Sequence, residues 1–582
     1  MKTIHAYRLL AVWLIFLTAC SGKAPKEAAY IPKDAALVAV LNIEEIKNKL
    51  KKGRLNIDSL TKSLFKKEYF SYDTSYSGEV KTFTRIITEP VIPATQIEKV
   101  LLFVQTKTMT DNSVTYSINI LGIADNLNNI FFQPNGQKAI NEPIIQDEKN
   151  FKTFYDSISK YRMSWNDEIT MVTYFYHEVK PAFDTLEMTF KIPADPNIEQ
   201  ESKTEVAQFF NHSLDKSMAS VDYFTDMFKE KADGYLFTSS NSSLQNLRNS
   251  PLNFPQLEEL LKDNYTCATL HFETGKLRIQ STSYFNPTLS SLLRQYAGPV
   301  INWSLVKDYP QGTINMLAMA SFQPEIIGGV LRQLELKSFA DNFLSKSDLS
   351  LDDVVKALKG ELAVVVSDIS VKEPDPMTHR DELSLQVGKT AGKLLVRIPV
   401  GDGNSYRKLM DAAVKNGWLM KTGNVYRSVP EYRLLNVFVM GDEKNLFIAS
   451  DSSVYANYLA NAGKTNEFIN QAAFRQNNAA TSLFYFNIAA TLQGMQAADL
   501  DYSISRSFQI VSSHLKELTV TNDNFDGKSL HNNIELTLQD EKTNSLVSLT
   551  KMLAGLAKEL NWTFEDDEIK VEDLVEDSLM KK

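Results

Sequence analysis

The chain has 582 residues, 43% of them hydrophobic and 23% charged, which is ordinary for a globular protein and supplies apolar material for several cores, three or four domains by length. Its net charge is −9, or −11 once Lys2 and Arg8 leave with the leader described next. An acidic chain with no sustained basic stripe excludes nucleic acid as an expected partner and anionic lipid as an electrostatic dock.

Residues 1–22 set the destination. Lys2 and Arg8 give a basic start, residues 9–17 are an apolar run, and Thr18, Ala19, Cys20, Ser21 and Gly22 follow. A charged start, a short apolar core and small residues before a cut site read as a secretory signal. The run is too short to span a bilayer as a helix, which takes about 20 residues. Leu17-Thr18-Ala19-Cys20 resembles the lipobox of bacterial lipoprotein precursors. The resemblance implies cleavage before Cys20, a diacylglyceryl thioether on its sulfur and an acylated amino group. Residues 1–19 are then a signal peptide and Cys20 the lipidation site. Two or more acyl chains anchor stably where one does not. With Cys20 lipidated, Cys267 has no disulfide partner, and its strand-like surroundings (TCATL) read as a small buried residue rather than a nucleophile.

Residues 20–29 are small and polar and read as a flexible tether. They lack the acidic cluster by which surface-displayed lipoproteins of some Bacteroidetes resemble one another. Ser21 also differs from the aspartate of the enterobacterial inner-membrane retention signal. The expected location is therefore the outer membrane, on its periplasmic face.

Along the body, residues 36–41 (ALVAVL) read as a buried strand and 43–52 as a helix, with Ile43, Ile46 and Leu50 on one face and Asn42 as its cap. The unit recurs as strand 315–320 and helix 323–336, and as strand 482–486, Asn487 and helix 488–494. Further pairs keep the same order. Residues 98–105 match 359–367; 114–130 match 393–413, each a strand then a helix; and hairpin 161–172 matches 437–449. Residues 233–247 match 481–495, and 269–285 match 518–539. Helices 288–298 and 545–555 end the halves, and most pairs lie about 250 to 280 positions apart. The expected fold is α+β: a tandem duplication of strand-helix and hairpin units, with antiparallel or mixed sheets covered by helices. The expected halves are 30–310 and 311–562, with a border at Gln311-Gly312. Polar residues 197–204 read as a loop or linker, and 563–582 as a solvated acidic tail with eight Asp or Glu between Glu565 and Asp577. Ile569, Leu574, Val575 and Leu579 of that tail fit one short amphipathic helix.

No motif carries chemistry. Gly388-Lys389-Thr390 has Leu383 where a phosphate-binding loop needs glycine. Gly401-Asp402-Gly403-Asn404-Ser405 reads as a capped helix start rather than an anion site. The histidines at 5, 177, 212, 271, 379, 514 and 531 include no i, i+4 pair. His177-Glu178 fails the zinc-protease pattern, and His271 with Glu273 falls short of a three-ligand site. Asp348, Asp352 and Asp353 read as the acidic start of a helix, not a calcium loop. Phe70, Tyr72, Tyr76, Tyr155, Tyr161 and Trp165 are of a kind that stacks on sugar or peptide but more commonly fills a core. No catalytic residue, metal or cofactor is expected.

The lipobox, residues 30–42 and the hairpin around Trp165-Asn166-Asp167-Glu168 together resemble a Bacteroidetes lipoprotein family known as domain of unknown function number 4836. The resemblance covers nearly the whole mature chain. It implies export and a repeated α+β build and brings no catalytic residues. The expected function is a lipid-anchored envelope protein that binds or scaffolds a periplasmic partner. The alternatives are a carrier or chaperone for an apolar ligand, favoured by a deep apolar cavity, and an envelope-polymer hydrolase, favoured by convergent carboxylates or a Ser/His pair in a cleft.

Overall fold

The structure, a computed structural model, describes residues 24–55, 99–108, 114–122, 145–157, 161–178, 182–184, 189–191, 197–241, 244, 255–371, 390–429, 437–461, 464, 467–468, 479–496 and 502–559. Cys20, the tail 563–582, the segment 123–130 expected as a helix, and Phe70, Tyr72, Tyr76, Gly388 and Lys389 lie outside these residues. The described residues form a mixed α+β protein with antiparallel sheet, divided into two compact units. The first unit falls within Met1–Asn253 and Leu261–His271, the second within Phe254–Leu260 and Phe272–Phe564.

In the first unit, strand β1 (Leu37–Asn42) runs into helix α1 (Ile43–Lys52), with Asn42 accepting from the Glu45 amide at its start. The other strands of its main sheet are β2 (Lys99–Thr108), β3 (Val114–Gly122), β4 (Gln146–Asp147), β5 (Lys152–Asp156), β6 (Tyr161–Trp165), β7 (Thr170–Glu178), β8 (Gly234–Ser239) and β9 (Tyr265–Glu273), and Ala182–Asp184 pairs with Thr189–Lys191 in a separate antiparallel hairpin. Their order is β9-β8-β1-β2-β3-β7-β6-β5-β4, antiparallel throughout. Val38 and Val40 alternate inward on β1 beside Leu101 and Phe103 of β2 and Phe237 of β8, all buried, because successive strand residues face opposite sides.

Helix α2 (Ile198–Asn211) covers this sheet, with Phe209 edge-on to Phe103 at 5.2 Å. This corrects the reading of 197–204 as a loop. Asn197 accepts from the Gln200 amide at 3.1 Å and caps the helix, and its polar first turns precede the buried Val206, Phe209 and Phe210. The tether is corrected as well. Lys26–Tyr30 is a 3-10 helix with Glu27 and Ala28 buried, so the chain is fixed to the body well before residue 30.

In the second unit the strands are β10 (Lys276–Tyr284), β11 (Ile314–Ser321), β12 (Glu361–Val371), β13 (Thr390–Pro399), β14 (Leu419–Thr422), β15 (Val425–Ser428), β16 (Phe438–Gly441), β17 (Asn445–Ala449), β18 (Ala480–Phe486), β19 (Leu515–Asp523) and β20 (Ser529–Leu538). Their order is β10-β20-β19-β18-β11-β12-β13-β17-β16-β15-β14, again antiparallel. Leu317, Val365, Leu395, Phe447 and Leu483 build its core. Ile301, Leu305, Val306 and Tyr309 are buried in the same core, so the border expected at Gln311-Gly312 lies inside this unit.

The helix expected over 323–336 is α4 (Glu325–Gln333), numbered after α3 (Pro287–Gln295), and a further helix, α5 (Lys337–Ser345), follows it. Glu335 takes φ +58°, a left-handed conformation that stops the first helix. Asn487 accepts from the Ala490 amide at 3.0 Å and starts the helix Ile488–Met495 as its sequence predicts.

Candidate partner-binding surface

Helix α5 (KSFADNFLS) places Phe339 and Phe343 one turn apart on one face, 73% and 66% exposed. Its opposite side is held by charge. Lys337 Nζ donates to Asp341 Oδ2 at 2.8 Å, and Asp341 Oδ1 accepts from the Leu351 amide at 2.8 Å. The Lys337 bond, followed by the Leu351 amide, holds the Asp341 carboxyl below the usual carboxylate range. Both bonds fix the roll of α5, and the two rings face solvent.

The preceding helix has the same inversion. On α4 the glycines are packed and Ile327 is 46% exposed. A Cβ at Gly329 would stand 2.6 Å from the Tyr296 ring and 2.9 Å from Leu292, so only glycine seats α4 there. Apolar side chains on these neighbouring helices point outward where burial is the norm, a pattern typical of surfaces that other molecules cover.

Below α5, helix α6 (Leu351–Ala357) begins with a capping box: Ser350 Oγ accepts from the Asp353 amide and Asp353 accepts from the Ser350 amide. Asp352 and Asp353 therefore begin a helix, as expected. Lys408 Nζ at 2.7 Å, then Ser350, lower the Asp353 pKa to about 2. A carboxyl whose folded pKa lies below its unfolded value stabilises the fold above the unfolded pKa, about 3.9. That contribution is lost as pH falls from about 4 towards 2. Asp353→Asn is expected to flatten the acid limb of a thermal-melting series over that window, and an unchanged limb would contradict the assignment.

The first unit contains a buried polar seam. The inward face of β3 carries Thr115, Ser117 and Asn119, all buried. Asn119 donates to Ser117 Oγ at 3.0 Å and accepts from Thr173 Oγ1 at 2.8 Å, and Ser117 Oγ donates to Glu205 on α2. Arg162, 1% exposed, lies alongside. Its Nε donates to Ser202 Oγ at 3.0 Å, Nη1 to Thr153 Oγ1 at 3.3 Å and Nη2 to the Glu199 carbonyl at 2.7 Å. Burial lowers its pKa, against the opposing field of Glu199. This seam fixes α2 on the sheet and presents no open face.

The residues singled out in the sequence do not converge. Cys267 is buried, its thiol is 3.3 Å from the Tyr223 carbonyl, and burial, then Asp226, pushes its pKa up to about 12. His271 Nε2 lies 3.2 Å from Glu230 and 3.0 Å from Thr269 Oγ1, whereas Glu273 pairs with Arg278 at 2.5 Å. Asp402 caps helix α7 (Gly403–Lys415) through the Ser405 amide at 2.8 Å. Tyr155 lies under Arg162 at 5.3 Å, and Tyr161 and Trp165 pack against Phe154, Met163, Val172 and Tyr174. Among the described residues no group of three or more His, Cys, Asp and Glu side chains is placed to hold a metal ion.

The sequence reading missed Phe339, Phe343 and Arg162. The available signal was in α5 itself, where an i, i+4 ion pair and an i, i+4 aromatic pair interleave, so both cannot face the same side.

The fold and this surface define a mixed α+β protein with an antiparallel sheet in each unit and an outward aromatic pair on the second. No protein-family model and no curated protein matches the chain. Among solved structures, the one titled "Structure of crystal form I of TP0453" is similar at 8% identity over 45% of this chain and 80% of that chain, with a TM-score of 0.19, a value on which no argument rests.

Proposed function

We propose that the protein is a lipid-anchored envelope protein that binds a protein partner through Phe339 and Phe343, on the periplasmic side of the outer membrane. The observation that carries the reading is the exposure of both rings on a helix whose opposite side is locked by Lys337, Asp341 and Leu351. Aromatic side chains are the commonest anchors of protein interfaces, and two rings one turn apart suit an apolar groove. The anchor rests on the lipobox at Cys20. The body is also a tandem duplication in this reading, in keeping with the family resemblance. The sheet order β9-β8-β1-β2-β3-β7-β6-β5-β4 recurs element for element as β19-β18-β11-β12-β13-β17-β16-β15-β14, and this supports it.

The test compares affinity capture by the native and Phe339→Ser/Phe343→Ser proteins from the same envelope. Burying each ring stabilises a complex by about 1.5–3 kcal/mol, so the double variant is expected to bind at least about 100-fold more weakly at unchanged melting temperature. Equal recovery of the same partner by both proteins contradicts the assignment.

A further inference from the structure

The anchor reading has a geometric consequence at the other unit. The chain emerging from Cys20 is fixed almost at once. The His212 ring Nε2 lies 2.6 Å from the Ala29 carbonyl oxygen, the Met218 amide donates to the Ile31 carbonyl at 2.8 Å, and the Lys33 amide donates to the Lys216 carbonyl at 2.8 Å. The Tyr30 hydroxyl donates to Glu168 at 2.6 Å and accepts from Asn166 at 3.1 Å, while its ring stands edge-on to Phe210 at 5.5 Å. Ile31 and Ala35 are fully buried behind these bonds. Only Ser21, Gly22 and Lys23 separate Cys20 from Ala24, where the described chain begins. Four residues reach at most about 14 Å even when fully extended. A lipid on Cys20 therefore holds this face within that distance of the bilayer surface.

The loop that clamps the strap carries an unusual residue. Leu214, between His212 and Lys216, is 63% exposed. Asp215 and Lys216 follow it, exposed, Lys33 is joined to this loop through its amide, and Lys26, Lys33 and Asp34 are exposed along the strap and its continuation. A leucine held out from a locked loop gains nothing in water, whereas lipid at the end of a short spacer would cover it. Neighbouring lysines suit the headgroup region, where their stems lie along apolar surface and their charges stay wet.

We propose that the short spacer fixes the orientation of the first unit, laying the strap Lys26–Tyr30 and the loop bearing Leu214 on the lipid surface. This rests on lipidation at Cys20. The occupant is the bilayer that holds the anchor, and a protein partner at Leu214 would be the contrary outcome.

The experiment uses the full mature chain, purified with its lipid and checked by mass, in vesicles of phosphatidylethanolamine and phosphatidylglycerol that contain a headgroup-nitroxide lipid. A fluorophore is placed at Leu214→Cys, a position whose exposure makes the change harmless to folding; Cys267 is buried and stays unlabelled. A second version carries about twelve extra Gly/Ser residues after Gly22, adding about 20 Å of reach. Quenching at position 214 is expected to be at least about threefold stronger with the native spacer than with the long one. Equal, weak quenching in two lipidated proteins overturns the orientation and leaves the anchor standing. Absence of lipid on Cys20 in the mass check overturns both. Quenching that appears only when envelope protein is withheld shows Leu214 to be a protein contact and also overturns the proposal.

Discussion

Arg162→Ala is expected to destabilise the first unit by about 3 kcal/mol. The guanidinium is buried between β6 and α2 and donates to Ser202, Thr153 and the Glu199 carbonyl. Truncation removes a long buried stem and leaves these acceptors without their donor. Cavity formation at a large buried side chain costs about 2–5 kcal/mol, and each orphaned buried polar group about 1–3, with relaxation recovering part. The readout is amide hydrogen exchange over Ile198–Asn211, which reports this unit alone, together with the urea midpoint. Arg162→Met separates the two contributions. It refills most of the space but leaves the same acceptors without their donor, so it keeps the hydrogen-bond part of the loss, about 1–2 kcal/mol, and recovers the cavity part. Equal losses in the two variants would show that the hydrogen bonds, not the packing, hold α2.

The second large effect is expected at Gly360→Ala, about 3–4 kcal/mol in the second unit. Gly360 has φ +82°, and an added Cβ would collide with the Phe322 carbonyl oxygen and lie 2.7 Å from the Pro324 ring. The Gly360 carbonyl accepts from the Phe322 amide at 2.9 Å, so relaxing the clash also breaks the bond that leads the chain from β11 into α4. Gly417→Ala is the internal control. Its φ is +76° with nothing within 4 Å of the added atom, so it carries only the backbone cost, about 1–2 kcal/mol. A urea-midpoint loss at Gly360 about two- to threefold that at Gly417 is the expected result, and equal losses would remove the steric argument.

What could be read in the sequence was local. Asn42, Asp402 and Asn487 stand between an extended run and a helical period, and each caps its helix as that position dictates. The antiparallel hairpin at Asn166-Asp167-Glu168 was equally legible, since Trp165 pairs with Thr170 across the polar turn. What could not be read depends on tertiary contact. Residues 197–204 look like a loop because α2 docks its first turns through Ser202 and the Glu199 carbonyl, so no apolar stripe marks them. The inward face of β3 is Thr115, Ser117 and Asn119, opposite to the rule that the apolar face is buried, because Glu205 of α2 and Thr173 of β7 supply polar partners. Phe339 and Phe343 mislead in the other direction. A helix with apolar residues at i, i+4 is expected to bury them, and only the ion pair from Lys337 to Asp341 and the bond from Asp341 to Leu351 decide which side turns in. The residues taken for a tether fold onto the body because His212 and Tyr30 find partners far away in the chain.

Cys20 carries the central claim, since the outer-membrane location and the orientation of the first unit both depend on its lipid. Intact-mass and fragment analysis of the mature amino terminus from native membranes tests it directly. The account predicts a chain beginning at Cys20 with a diacylglyceryl group on its sulfur and an acyl group on its nitrogen. A free thiol at position 20, or residues 1–19 still attached, would contradict it.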